Sequence, residues 1–216
     1  HGFDQIQYIN TRYPFPVMLP HIPYENPCWH YRREFEVKKV AKEKYYLNFE
    51  GVDSAFYLYI NGKQVGYSQI SHATSEFDIT KYVVDGTNVI DVVVLKWCIS
   101  TYLECQDKFR FSGIFRDVYL LTRPENHITD YKIETTFSGK NGILTFHNES
   151  NVQVRVDIAS QSHIVLPESS LDVKIFNVNK WSAEEPNLYT LLISANGEKI
   201  VEKVGFREVT IDGCVF

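Results

Sequence analysis

The sequence has no apolar run approaching the roughly 18 residues of a membrane-spanning helix, so no such span is expected. It has no excess of positive charge. Lys and Arg number 22 against 27 Asp and Glu, a net charge of −5, which leaves no electrostatic footprint for nucleic acid. Cysteine is scarce, with four residues at positions 28, 98, 105 and 214. None are at Cys-x-x-Cys spacing, so no zinc site is expected. A chain of 216 residues does not need disulfide staples. Free thiols are therefore expected, with a Cys98–Cys105 bridge as the alternative. The seven histidines are scattered without metal-like spacing. There is no Gly-x-Ser-x-Gly, no phosphate loop and no His/Cys pair at motif spacing. Asn148-Glu-Ser150 is a lone glycosylation sequon, read as chance on a surface turn. Convincing helical periodicity over ten or more residues is also missing.

What the sequence does contain is short strands separated by turn residues. Tyr13-Pro-Phe-Pro16, Pro20, Pro23 and Pro27 predict an extended, irregular segment, because proline fixes φ and removes donors. Tyr31–Val37 alternates as a half-buried strand, and Tyr45–Glu50 reads as another. Phe56–Ile60 and Lys63–Tyr67 flank Asn61-Gly62, a strong type I′ hairpin signal. Ser75–Thr80 offers capping groups for a short turn at Lys81–Val83. Asn88–Trp97 is a near-continuous apolar run, read as a strand buried on both faces. Beyond Arg123-Pro124 the rhythm shortens. Strands are expected at 131–137, 143–147, 152–158, 171–178, 188–194 and 199–211. Turns at Ser138-Gly139, Asn141-Gly142 and Asn196-Gly197 separate them. Many short strands indicate sandwiches, and the second set fits an immunoglobulin-like one.

The stretch Thr101–Leu121 is different. From Ile114 to Leu121 it alternates as a strand. Its first half mixes Glu104, Gln106, Asp107, Lys108 and Arg110 with Tyr102, Phe109 and Phe111 and shows no helical stripe. It reads as an ordered polar loop on a rigid β element, where binding residues tend to sit. Mutual pairing of these charges at the surface is the alternative. Glu104 and Asp107 are three residues apart, a spacing that brings side chains together only on a helix. They are therefore not read as an acid–nucleophile pair.

Tyr102-Leu-Glu-Cys-Gln-Asp107, Phe109-Arg110 and Ser112-Gly-Ile-Phe-Arg-Asp-Val-Tyr119 together resemble the Tyr-Leu-Glu-Asp-Gln-Asp-x-Trp-Arg-x-Ser-Gly-Ile-Phe-Arg-Asp-Val segment of family 2 β-galactosidases. Cys105 stands at an Asp position and Phe109 at a Trp position. Tyr8–Pro16 is similar to that family's Tyr-Thr-Asn-Val-x-Tyr-Pro-Phe, with Thr11 at the Val position. Phe49–Phe56, Asn61–Gln69 and Glu76–Thr80 resemble its sugar-binding jelly roll. Trp181–Tyr189 and Val204–Val209 resemble its second domain.

The resemblance implies an all-β chain. Residues 1–123 would form an N-terminally truncated, galactose-binding-like jelly roll, and residues 124–216 an immunoglobulin-like β-sandwich. The start, His1-Gly-Phe-Asp, lacks a basic signal region and an initiator methionine, and predicts a piece of a longer polypeptide. Its retaining (β/α)₈ barrel, with both catalytic glutamates, would lie outside this chain, so no catalytic residue is assigned here. By resemblance Asn10, Thr11 and Asp107 contribute to substrate binding, and Asp107 also to a sodium site. The resemblance implies no cofactor for this chain alone, and sodium and magnesium for the full enzyme. The implied partners are a β-galactoside or oligosaccharide, the barrel of the same polypeptide and further copies in a homo-oligomer, with no nucleic acid and no membrane. Tyr67 and Trp97 are aromatics that either stack on sugar or fill a core. The alternatives are an independent carbohydrate-binding module, and a β-glucuronidase or β-mannosidase type of the same family.

Overall fold

The structure is a computed structural model that describes residues 6–104 and 107–208. It divides into two compact units, His1–Arg123 and Pro124–Phe216. Both are all-β. The first holds β1 (Gln7–Ile9), β2 (Cys28–Val37), β3 (Glu43–Phe49), β4 (Val52–Asp53), β5 (Ala55–Ile60), β6 (Lys63–Ser68), β7 (Ser75–Asp78) and β8 (Gly86–Leu95). One helical turn follows, α1 (Thr101–Glu104), then β9 (Lys108–Arg110), β10 (Gly113–Ile114) and β11 (Val118–Pro124). The second holds β12 (Tyr131–Ser138), β13 (Asn141–Asn148), β14 (Val154–Ile158), β15 (Gln161–Val165), β16 (Ser169–Ile175), β17 (Tyr189–Ala195) and β18 (Glu198–Val204).

In the first unit a four-stranded sheet, β2-β8-β5-β6, and a three-stranded sheet, β11-β3-β7, enclose one core, a jelly-roll sandwich. Phe49, Phe56, Leu58, Ile60, Ile79 and Val94 are almost completely buried there. The Asn61-Gly62 hairpin forms as read, with Ile60 opposite Lys63 and φ of 51° and 75° at the two turn residues. Asn61 is more than a turn former. Its amide donates to Tyr82 O at 3.0 Å and Asn88 Oδ1 at 2.9 Å, and its carbonyl accepts from Val89 N at 2.9 Å. The edge strand β2 is protected by charge. Trp29, Phe35 and Val37 are its less exposed residues, and Arg33 lies on their side. There Arg33 borders a shallow cleft lined by Phe35, Leu47, Ile90 and Leu120. A charge on the sandwich-facing side is one way in which natural edges resist pairing.

In the second unit, β12-β13-β16 packs with β15-β14-β17-β18 around Leu144, Phe146, Val154, Val156, Leu191, Ile193 and Phe206, an immunoglobulin-like sandwich. Two sequence motifs meet there. Trp181 N donates to Phe206 O at 2.9 Å, and the Trp181 side chain fills the space where a side chain on Gly205 would stand.

Several expectations differ from the structure. The segment before Asp107 is not loop throughout, because Thr101–Glu104 closes one helical turn in which Leu103 N and Glu104 N both bond Ser100 O at 2.9 Å. The expected strand Ile114–Leu121 is interrupted. At Phe115 and Arg116 the backbone turns both N–H groups onto Gly51 O, and Phe115 stacks on Phe111 instead of continuing a ladder. Strand β15 was not read from the sequence. Its turn, Ala159-Ser160, takes positive φ of 47° and 63° without the glycine or asparagine that normally announces one. The end of the expected 199–211 strand, like Cys105 and Cys214, falls outside the described residues. Cys28 and Cys98 are free thiols.

Candidate functional site

The site is built by a pairing of distant segments. Strand β1 lies antiparallel to β9, with Tyr8 opposite Phe109 and Ile9 opposite Lys108. Asn10 therefore leaves β1 beside the point where the chain enters β9 from Asp107. The Tyr8 hydroxyl donates to Asp107 Oδ1, and the Asn10 side chain also hydrogen-bonds Tyr8. Acceptance of the Tyr8 proton by the Asp107 carboxylate is the main reason that the phenol is raised above its ordinary value. Asp107 itself sits at a φ of 44°, a left-handed conformation that Asp and Asn tolerate better than most residues. Asn10, Thr11 and Asp107 are all exposed.

Of the residues singled out by sequence, Asn10 and Asp107 are brought together. Thr11 lies in the same exposed bend, with no hydrogen bond of its own side chain among those described. Tyr8, the link between them, was missed. Its signal was present as an aromatic heading the Tyr-Ile-Asn motif, but its partner lies 99 positions away. Glu104 and Asp107 are not a pair. Glu104 turns to Ser71, whose hydroxyl donates to it at 2.6 Å, while Asp107 turns to Tyr8. Trp97 is a core residue, 7% exposed, with Phe15 at 4.8 Å and the Arg110 guanidinium 5.3 Å from its ring. Tyr67 is half exposed and leans on Tyr57.

The proline-rich segment is held in place next to this site. Tyr13 Oη donates to Tyr102 O at 2.6 Å, Tyr102 Oη donates to His21 O at 2.7 Å, and Asn26 brackets Trp97 through both its backbone groups. Rings of Tyr13 and Phe15 pack edge-on to Tyr102. Chemically the cluster offers a carboxylate, a phenol and an amide at one surface, which suits recognition of hydroxyl groups. Among the described residues no group of three His, Cys, Asp or Glu is placed to hold a metal ion. The Asp107 carboxylate is a hard oxygen donor of the kind that suits hard cations.

Comparison with known proteins agrees with this architecture. The model of glycosyl hydrolases family 2, sugar binding domain, matches residues 1–124, and that of glycosyl hydrolases family 2 matches residues 147–207. A β-galactosidase of Staphylococcus xylosus is 47% identical, covering 100% of this chain and 23% of its own length. One from Actinobacillus pleuropneumoniae is 44% identical over 98% of this chain and 22% of its length. The chain thus spans under a quarter of these relatives. Among solved structures, a β-glucuronidase of Ruminococcus gnavus superposes with a TM-score of 0.73 at 20% identity, over 86% of this chain and 36% of that one. At that identity the likeness speaks for the fold alone. On the family match across its first 124 residues, this chain belongs to glycoside hydrolase family 2.

Proposed function

We propose that this chain is the non-catalytic N-terminal portion of a retaining β-galactosidase-type enzyme, and that its jelly roll completes the substrate pocket of a barrel supplied by the rest of the polypeptide. The observation that carries this is the β1–β9 pairing, which joins Asn10, Tyr8 and Asp107 at one exposed surface. The full-chain similarity to two β-galactosidases supports the choice of substrate class.

Glycoside hydrolysis with retention uses two carboxyls about 5–5.5 Å apart across the scissile bond. Glu104, three residues before Asp107, is engaged with Ser71, and Asp107 bonds Tyr8 within the surface itself, so the two do not form such a pair. Their part is positioning. Asp107 and Asn10 accept and donate hydrogen bonds to sugar hydroxyls, and so fix the ring before chemistry. A sodium ion, when bound, would add a positive centre for the same hydroxyls, and Asp107 would hold it from this side.

The purified 216-residue chain is expected to give no turnover of nitrophenyl β-galactoside and no heat on titration with lactose. Turnover abolished by substituting one of its own carboxylates would overturn the proposal. Lactose binding without turnover would favour an independent carbohydrate-binding module. With the full-length polypeptide, a preference for glucuronide or mannoside over galactoside would move the substrate class within the family.

A further inference from the structure

Next to the Asp107 turn lies a group of polar side chains that sugar recognition does not use. Asp53, at the end of β4, is 2% exposed, and Ser71 is fully buried. The Ser71 hydroxyl lies 2.6 Å from Glu104 Oε2 and 3.2 Å from Asp53 Oδ1. Ser71 N donates to Glu104 Oε1 at 3.3 Å. The second oxygen of Asp53, Oδ2, is buried without a hydrogen-bond partner.

A hydroxyl carries one proton and cannot donate to two carboxylates at once. If Asp53 were ionised, Oδ1 would face the Ser71 oxygen with no proton between them and Oδ2 would be bare. That is a costly state for a buried charge. A neutral Asp53 removes the conflict. It donates to Ser71 Oγ, and Ser71 donates to Glu104. The surroundings point the same way. Burial raises the Asp53 carboxyl above its ordinary value and Glu104 adds to the rise, while Lys108, the Ser71 hydroxyl and Arg110 pull it down without cancelling it. His72, the neighbour of Ser71, is lowered chiefly by burial and adds no charge at neutral pH.

We propose that Asp53 is a positioning residue for Asp107. As a neutral acid it heads a one-way chain, Asp53 to Ser71 to Glu104, that fixes the end of α1 three residues before Asp107. The far end of this chain is anchored in a backbone pairing, with Asp53 opposite Gly113 between β4 and β10. The inference rests on the site reading above. Its sign in pH follows from the raised value. The chain is intact while Asp53 is protonated and is released as pH rises through the folded-state pKa. Two carboxylates then share one hydroxyl.

The test uses the full-length polypeptide and nitrophenyl β-galactoside, with KM and kcat measured against pH. KM of the unsubstituted enzyme is expected to rise about tenfold as Asp53 titrates, with a smaller change in kcat. D53A should show the raised KM at every pH. D53N, whose amide donates to Ser71 permanently, should rescue the low KM and flatten the profile. Persistence of the alkaline rise in D53N would overturn the proposal. So would an Asp53 carboxyl ¹³C resonance titrating at the ordinary aspartate value near ~3.9. D107A separates the two ideas. Unchanged KM there overturns the site reading. A raised KM in D107A beside a flat unsubstituted profile overturns the role of Asp53 alone.

Discussion

Replacing Asp107 with alanine in the full-length polypeptide is expected to lower kcat/KM for a β-galactoside about 100-fold, because a misplacement of ~1 Å at a reacting centre costs that much. Any dependence of the rate on sodium should disappear with it. Asp107 is well placed for such an effect and poorly placed to matter for folding. It is exposed, and its one described side-chain bond is to the exposed Tyr8. The backbone on its far side is tied into β9, where Arg110 is buried. Alanine at a φ of 44° strains the backbone by about 1 kcal/mol. Asp107→Asn is the companion variant, since asparagine accepts that conformation and changes only the charge. If D107N matches D107A, the carboxylate is what the site needs. If D107N is near normal and D107A is not, the backbone conformation is. Unchanged kinetics and unchanged sodium response in both would withdraw Asp107 from the site.

The second large effect concerns stability. Asn148→Ala is expected to destabilise the second unit by about 3 kcal/mol, read from the midpoint of urea unfolding. Asn148 is 2% exposed. Its amide donates to Val152 O at 2.8 Å, Leu166 O at 2.9 Å and Val165 O at 3.3 Å, and its carbonyl accepts from Ser150 N at 3.1 Å. Ser150 extends the network. Its hydroxyl accepts from Thr129 N at 2.9 Å and Asp130 N at 3.2 Å, and donates to Asp130 O at 2.9 Å. Alanine leaves these buried carbonyls with no donor from position 148. A loss below about 1 kcal/mol would mean that the corner repairs itself. Asn148-Glu-Ser150 is not the surface turn that the sequence suggested. Both ends of the sequon are buried and fully engaged, so the folded chain offers no acceptor there.

Much of the fold was legible because its signals are local. Alternation in Tyr131–Phe137 and in Phe56–Ile60, and the Asn61-Gly62 turn, report side-chain direction over a few residues. The site was less legible because it is an encounter. Nothing near Tyr8 announces Asp107, and nothing near Asp53 announces Ser71 or Glu104. The register of β1 on β9 joins the first pair, and the second group meets where the turn after β6 and the end of α1 reach the end of β4. The single turn of α1 escaped because four residues carry no periodicity. Asn10 and Asp107 stand out in the sequence only through their resemblance to the family's motifs, which carry no physical reason of their own.

The two units also differ in how far apart in the chain their partners lie. In the second, β12–β13, β14–β15 and β17–β18 are hairpins of consecutive strands. In the first, β2 must wait for β8 and β1 for β9. Closing long loops precedes any reward from the contacts that they bring, so pairings of this kind form slowly. On a ribosome, Tyr8 emerges nearly the whole first unit ahead of Asp107. Their hydrogen bond therefore belongs to the end of that unit's assembly.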